Sequence, residues 1–133
     1  MASYQSIYNF EMRNKEAFWL ESAKLIDWIV EPSIALDNSS QTDNFWFPDG
    51  QMNSCFNAVD RHVLAGRGEQ VAILYESPIT GATSSLSYAE LKTATEKFAG
   101  MLVKQGLTKG DRVIIYMPMI CEAVISMLGC ARI

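Results

Sequence analysis

Apolar residues follow helical spacing in some stretches of this chain and form short unbroken runs in others. The alternation predicts its elements. In KEAFWLESAKLIDW, Phe18, Ala23, Leu25, Ile26 and Trp28 fall near one stripe. That predicts a helix from a cap at Asn14 through Trp28, ended by Glu31-Pro32. A polar loop, LDNSSQTDN, follows. Phe45, Trp46 and Phe47 then run into Pro48-Asp49-Gly50, which is turn chemistry. Three rings in a row on a loop are expected to dock, and the domain that follows is the expected surface. From residue 51 the pattern tightens. Phe56, Val59, Val63 and Leu64 repeat at helical spacing, with Gly66 as the stop. VAILYES is nearly continuous and rich in β-branched residues, which predicts a buried strand. SPITGATS is a turn and SSLSY a short strand, so residues 71–88 read as a hairpin.

Ser87-Tyr88-Ala89-Glu90 is a capping box, in which serine accepts from the Glu90 amide and glutamate reaches back to the Ser87 amide. Leu91, Thr95, Phe98 and Leu102 extend that helix and Gly106 closes it. Lys109-Gly110-Asp111 turns the chain into RVIIYM, a second expected buried strand. Pro118 sits where a last helix would begin, because its missing N–H costs least in the first turn. The order hairpin, helix, strand, helix predicts an α/β fold with right-handed crossovers. The last helix is apolar around most of its circumference and reaches Ile133 with no C-cap glycine and no strand after it. The expectation is the front piece of a longer α/β protein, with uncovered apolar surface.

Composition narrows the partners. The chain has 133 residues, 49% hydrophobic and 20% charged, with a net charge of −4. It is globular in composition, and its scattered Lys and Arg form no basic stripe for nucleic acid. No apolar run reaches the roughly 18 residues of a membrane span. Cys55, Cys121 and Cys130 are odd in number and lack CxxC spacing, which suggests reduced thiols and a cytoplasmic protein.

Candidate chemistry is thin. Thr80-Gly81-Ala82-Thr83-Ser84-Ser85 looks superficially like a phosphate loop, but it holds no lysine and lies between two strands, so a hairpin turn is the expected reading. Asp60 and His62 stand two apart on a helix and cannot pair well; the imidazole is expected to bond a backbone carbonyl or the next segment. Asp60 and Arg61 are candidates to anchor the N-terminal extension. Gly66-Arg67-Gly68 reads as a flexible loop with a solvated arginine, and Met117 and Met119 as gap-filling core at a strand end. One His and three dispersed Cys make no metal cluster. No catalytic, cofactor-binding or metal-binding residue is assigned.

The ordered series Phe45-Trp46-Phe47, Gly50, Asn53, Asn57-Ala58-Val59-Asp60-Arg61-His62, Lys109-Gly110-Asp111-Arg112-Val113, Ile115-Tyr116-Met117-Pro118-Met119, Glu122-Ala123 and Cys130-Ala131-Arg132-Ile133 resembles the start of the short-chain acyl-CoA synthetases. These are the acetyl- and propionyl-CoA synthetases of the AMP-forming, adenylate-forming superfamily. The resemblance runs from about Phe18 to Ile133. It implies an N-terminal extension over residues 1–50, wrapping the large domain, and the first part of the AMP-binding large domain over residues 51–133. It implies a parent acetate or propionate ligase using ATP, Mg2+ and CoA. The family's lysine-bearing phosphate loop, its later adenylate motifs and its C-terminal lysine domain have no counterpart here, so these residues alone are expected to be inactive. The alternative is a non-catalytic module that pairs, with itself or with the rest of the parent, through an open sheet edge.

Overall fold

A computed structural model describes residues 3–40 and 42–133. The chain divides into two compact units, Met1–Met52 and Asn53–Ile133. It mixes helix and strand, as expected.

In the first unit the earliest helix is one the sequence reading did not identify. Helix α1 spans Tyr4–Arg13, with the Ser3 hydroxyl accepting from the Ser6 amide. Asn14 breaks the spiral at φ −140°, and α2 runs over Lys15–Ala23. Asn14 holds the expected cap position, yet its side chain makes no capping bond. The helix also ends before Trp28. The Trp28 indole N–H donates to the Ala23 carbonyl at 2.8 Å, taking up one of the last carbonyls that a continuing helix would have used. The strands β1 (Leu36–Asp37) and β2 (Phe45–Trp46) pair antiparallel. Phe47 follows in the left-handed region at φ 50°, and the Gly50 amide donates to its carbonyl at 3.0 Å, closing the expected turn. The aromatic run docks inside its own unit: Trp46 lies edge-on to Trp19 at 5.1 Å and Phe47 to Trp28 at 5.5 Å. A Cβ on Gly50 would come within 2.8 Å of the Trp28 ring, so only glycine lets the turn lie this close.

The second unit opens with helical turns of unusual width, Phe56–Asp60 and Val63–Arg67. The Arg61 amide reaches back five residues to Phe56. Gly66, the expected stop, kinks the second of them at φ 78°, and the turn ends at Arg67. Strands β3 (Val71–Glu76) and β4 (Thr83–Ser87) form the predicted antiparallel hairpin, with an irregularity between Val71 and Ile73. The hairpin is less buried than an unbroken apolar run suggests, because a two-stranded sheet has a free face; Leu74 is 82% exposed.

Helix α3 (Tyr88–Lys104) starts on the full capping box. The Ser87 oxygen accepts from the Glu90 amide at 3.2 Å, and Glu90 accepts from the Ser87 amide at 2.8 Å. Leu91, Thr95, Ala99 and Leu102 form its buried stripe. Ser87→Ala is expected to cost about 1 kcal/mol through loss of the reciprocal cap. Chemical denaturation should show a lower midpoint at unchanged slope; a change of only a few tenths would count against the cap.

Two expectations for the end of the chain need correction. Residues 112–117 form no strand, and they are not buried: Ile114 is 93% exposed and Tyr116 99%. A strand requires a partner, and no described segment lies beside these residues to complete a ladder. The last helix, α4, spans Cys121–Arg132, not from Pro118. The Ile120 amide bonds the Pro118 carbonyl at 2.9 Å in a tight turn, which delays helical winding by three residues. Its burial is one-sided: Ser126 and Gly129 are buried, whereas Met127 is 62% exposed. Cys55, Val59 and Leu91 form the core, with Ala72, Ile73, Ile125 and Leu128 packed on it.

Candidate functional site

Charged chemistry converges at one buried place in the second unit, where the wide helical turns, α3 and α4 meet. Asp60 is 6% exposed, unusual for a carboxylate, and it meets the Arg132 guanidinium in a bidentate pair. Nη1 donates to Oδ1 at 3.1 Å and Nη2 to Oδ2 at 2.7 Å. Nη2 also donates to the Thr95 hydroxyl at 3.3 Å, and that hydroxyl donates onward to the Lys92 carbonyl at 2.9 Å. From the other side Asn53 Nδ2 donates to the Arg132 carbonyl at 3.0 Å. Burial opposes the guanidinium charge, but Asp60, Cys55 and Glu96 together outweigh it and push the Arg132 pKa further up. Cys55, fully buried beneath, has its thiol pushed up by burial, with Arg132 opposing.

Chemically this is a tie. Both carboxylate oxygens are engaged, the arginine fork is saturated apart from a buried Nε without a partner, and Cys55 has no path to solvent. The arrangement joins residues 72 apart in sequence and fixes α4 against α3 and the wide turns. Within the second unit Asp60 thus pairs with Arg132, and Arg61 donates to Asn57 at 3.1 Å. The pairing was missed because its only sequence signal is a lone arginine at the end of an apolar helix.

The other candidates lie apart. His62 packs its ring on Tyr88 at 4.8 Å and takes a contact from the Arg67 guanidinium at Nδ1. It thus uses the next segment and not a backbone carbonyl, and Arg67 is occupied by the imidazole. Partial burial, then the charges of Arg67 and Arg61, lower the His62 pKa. Thr80 and Gly81 sit in the β3–β4 turn, where the Gly81 amide donates to the Ser77 carbonyl at 2.8 Å. The segment leads into a strand, so its amides do not converge as at a helix N-terminus, and it contains no lysine to face a phosphate. Met117 and Met119 are 46% and 88% exposed, not gap-filling core. Only the Met117 sulfur touches a buried group, the Ser126 hydroxyl at 3.9 Å. Among the described residues no group of three His, Cys, Asp or Glu could hold a metal ion, and no helix is long and apolar enough to cross a membrane. In the first unit a cleft of about 530 Å3 is floored by Trp19 and Trp46; its rim of Glu11, Glu16 and Lys15 carries mixed charge and selects no ligand class.

The two units correspond closely to two family descriptions. Residues 4–58 match the acetyl-coenzyme A synthetase N-terminus, and residues 60–133 match the AMP-binding enzymes. The chain belongs to the AMP-binding enzyme family. It aligns with the N-terminal part of short-chain acyl-CoA synthetases. Against acyl-CoA synthetase short-chain family member 3, mitochondrial, of Rattus norvegicus it is 42% identical over 130 residues, covering 98% of this chain and 19% of the relative. Against the same protein of Homo sapiens it is 41% identical over 132 residues, 99% of this chain and 19% of the relative. Against acetyl-coenzyme A synthetase of Streptomyces coelicolor it is 46% identical over 126 residues, 95% of this chain and 19% of the relative. The chain therefore spans 19% of the length of the curated relatives it matches.

Proposed function

We propose that this chain supplies the N-terminal part of an AMP-forming ligase for a short carboxylic acid, acetate or propionate. In that reaction a carboxylate oxygen attacks the α-phosphorus of ATP and pyrophosphate leaves. The coenzyme A thiolate then attacks the acyl carbon and AMP leaves. The observation that carries the reading is the succession of two family matches, residues 4–58 and then 60–133, across one chain. Residues 1–50 serve as the extension and residues 51–133 open the large domain. ATP, Mg2+ and CoA belong to the parent enzyme, since neither the Thr80–Gly81 turn nor the saturated Asp60–Arg132 pair offers a place for phosphate. A cytoplasmic location belongs to the same proposal, supported by three free cysteines.

The test replaces the corresponding N-terminal part of the Streptomyces coelicolor relative with residues 1–133. The chimera is expected to form acyl-CoA from acetate or propionate, while residues 1–133 alone give ATP–pyrophosphate exchange no higher than a blank. The phosphate-positioning electrostatics that dominate such chemistry have no residues to supply them here. A folded chimera with no thioester formation would sink the reading, and exchange by residues 1–133 alone would overturn the expected inactivity.

A further inference from the structure

The chain has one histidine, and its ring makes a contact that only the neutral form can make. His62 lies where the two wide helical turns meet, with Phe56–Asp60 before it and Val63–Arg67 after it. Its ring packs on Tyr88, the first residue of α3, with centroids 4.8 Å apart and planes tilted by 55°. Past the kink at Gly66 the Arg67 guanidinium returns to the imidazole, where Nη2 meets Nδ1. Arginine carries donors only, so Nδ1 is the acceptor and the ring proton sits on Nε2. An imidazolium has a donor at both nitrogens. Protonation therefore removes the acceptor that Arg67 uses and sets two cations against each other.

We propose that His62 and Arg67 form an acid-released latch, which holds the kinked turn Val63–Arg67 closed while the imidazole is neutral and frees it on protonation. The charges around the ring favour release. Arg61 and Arg67 flank it on its own segment, and Tyr88 faces it from α3. Further along α3, Glu90 is engaged by the Ser87 amide at 2.8 Å and Lys92 by Glu96. Among the described residues no carboxylate hydrogen-bonds to the ring. Partial burial, then Arg67 and Arg61, accordingly lower the His62 pKa from its ordinary 6.5. A histidine harder to protonate folded than unfolded adds stability above the unfolded pKa. That stability is lost as the pH falls from 6.5 through the lower folded value. The latch acts over a short reach. The Gln70 amide donates to the Arg67 carbonyl and the Ala89 amide to the Gly68 carbonyl, both at 3.0 Å, and neither bond depends on the imidazole. The Asp60–Arg132 pair likewise holds the first wide turn. Release is thus confined to the turn about Gly66, where an added Cβ would meet nothing within 4 Å. The proposal stands apart from the ligase reading, because it needs no substrate and no further domain.

The experiment is an NMR titration of residues 1–133 from about pH 8 to about pH 5, the range in which histidine titrates. It follows the ring signals of the single histidine and the amide-exchange protection of residues 63–68. Protection, corrected for the intrinsic pH dependence of exchange, is expected to fall about threefold as His62 takes up its proton, the scale of like charges in contact at a solvated site. His62→Gln keeps an acceptor for Arg67 and cannot become charged, so the step should vanish. Arg67→Gln removes the facing cation, so the His62 pKa should rise toward 6.5 and the step should shrink. A His62 pKa at or above 6.5 would overturn the proposal, as would a pKa that Arg67→Gln leaves unchanged. So would a protection step that persists in His62→Gln, or the absence of any step in the unaltered chain.

Discussion

Asp60→Ala is expected to lower the unfolding free energy of the second unit by about 3 kcal/mol, a large part of the ~5–15 kcal/mol typical of a domain. The replacement leaves the Arg132 guanidinium in a site built for a carboxylate. Its Nε already lacks a partner, and the lost pair would strand Nη1 and Nη2 as well, apart from the Thr95 contact at 3.3 Å. Buried pairs broken from one side cost about 3–5 kcal/mol. The lower end applies because the Arg132 side chain is 21% exposed and Glu96 lies 3.9 Å from Nη1, so the orphaned charge has some relief. Arg132→Met should cost at least as much, since the Asp60 side chain is only 9% exposed and loses its cation. The double replacement Asp60→Leu with Arg132→Met should cost clearly less than the sum of the two single changes, because an apolar pair of similar volume can occupy the site. Urea denaturation at unchanged slope is the measurement. Single-variant losses below about 1 kcal/mol, or simple additivity, would show that the pair does not tie these elements together.

That tie also marks the boundary of what the sequence discloses. Elements set by neighbours in the chain were legible: the Ser87–Glu90 cap, the β3–β4 hairpin, the Pro48–Gly50 turn and a break in the spiral at Gly66 each rest on interactions spanning a few residues. The misreadings concern features decided by distant or absent partners. RVIIYM has the composition of a buried strand, but a strand exists only where a ladder closes, and no described segment supplies one. Helix α2 stops at Ala23 because the Trp28 indole folds back on its carbonyl, a contact that helical periodicity cannot register. Helix α1 buries none of its side chains, so it has no apolar stripe tied to a core. The Asp60–Arg132 pair spans 72 positions and involves a single residue of each sign. Family likeness was the stronger guide to function, since it draws on an ordered series of short motifs and not on any one contact.

Gly129→Val is expected to cost about 3 kcal/mol by forcing α3 and α4 apart. A Cβ at Gly129 would lie 2.6 Å from Phe98 Cδ1 and 3.3 Å from Phe98 Cβ and Cγ. The ring edge alone could swing, but the contact with Phe98 Cβ is close to the α3 backbone, so a side-chain rotation does not remove the crowding. Gly129→Ala sets two effects of known sign against each other. Alanine favours the helix over glycine by about 1 kcal/mol, while crowding a packed contact costs about 1–3 kcal/mol. Crowding should win by about 1 kcal/mol, because Gly129 is buried and lies on the face of α4 that meets α3. Valine adds two methyl groups to the same contact and recovers less helix propensity, hence the larger loss. The cause can be isolated by removing the ring. Phe98→Ala removes Cγ and Cδ1 and leaves only the Cβ contact at 3.3 Å, so in the Phe98→Ala background Gly129→Ala should lose most of its penalty, giving a coupling of about 1 kcal/mol between the two positions. Thermal and urea unfolding of the four proteins in this cycle supply the measurement. If Gly129→Ala stabilises the chain by the full helix-propensity gain, or if the two changes simply add, then close approach of α3 and α4 at Gly129 is not what holds the last helix in place.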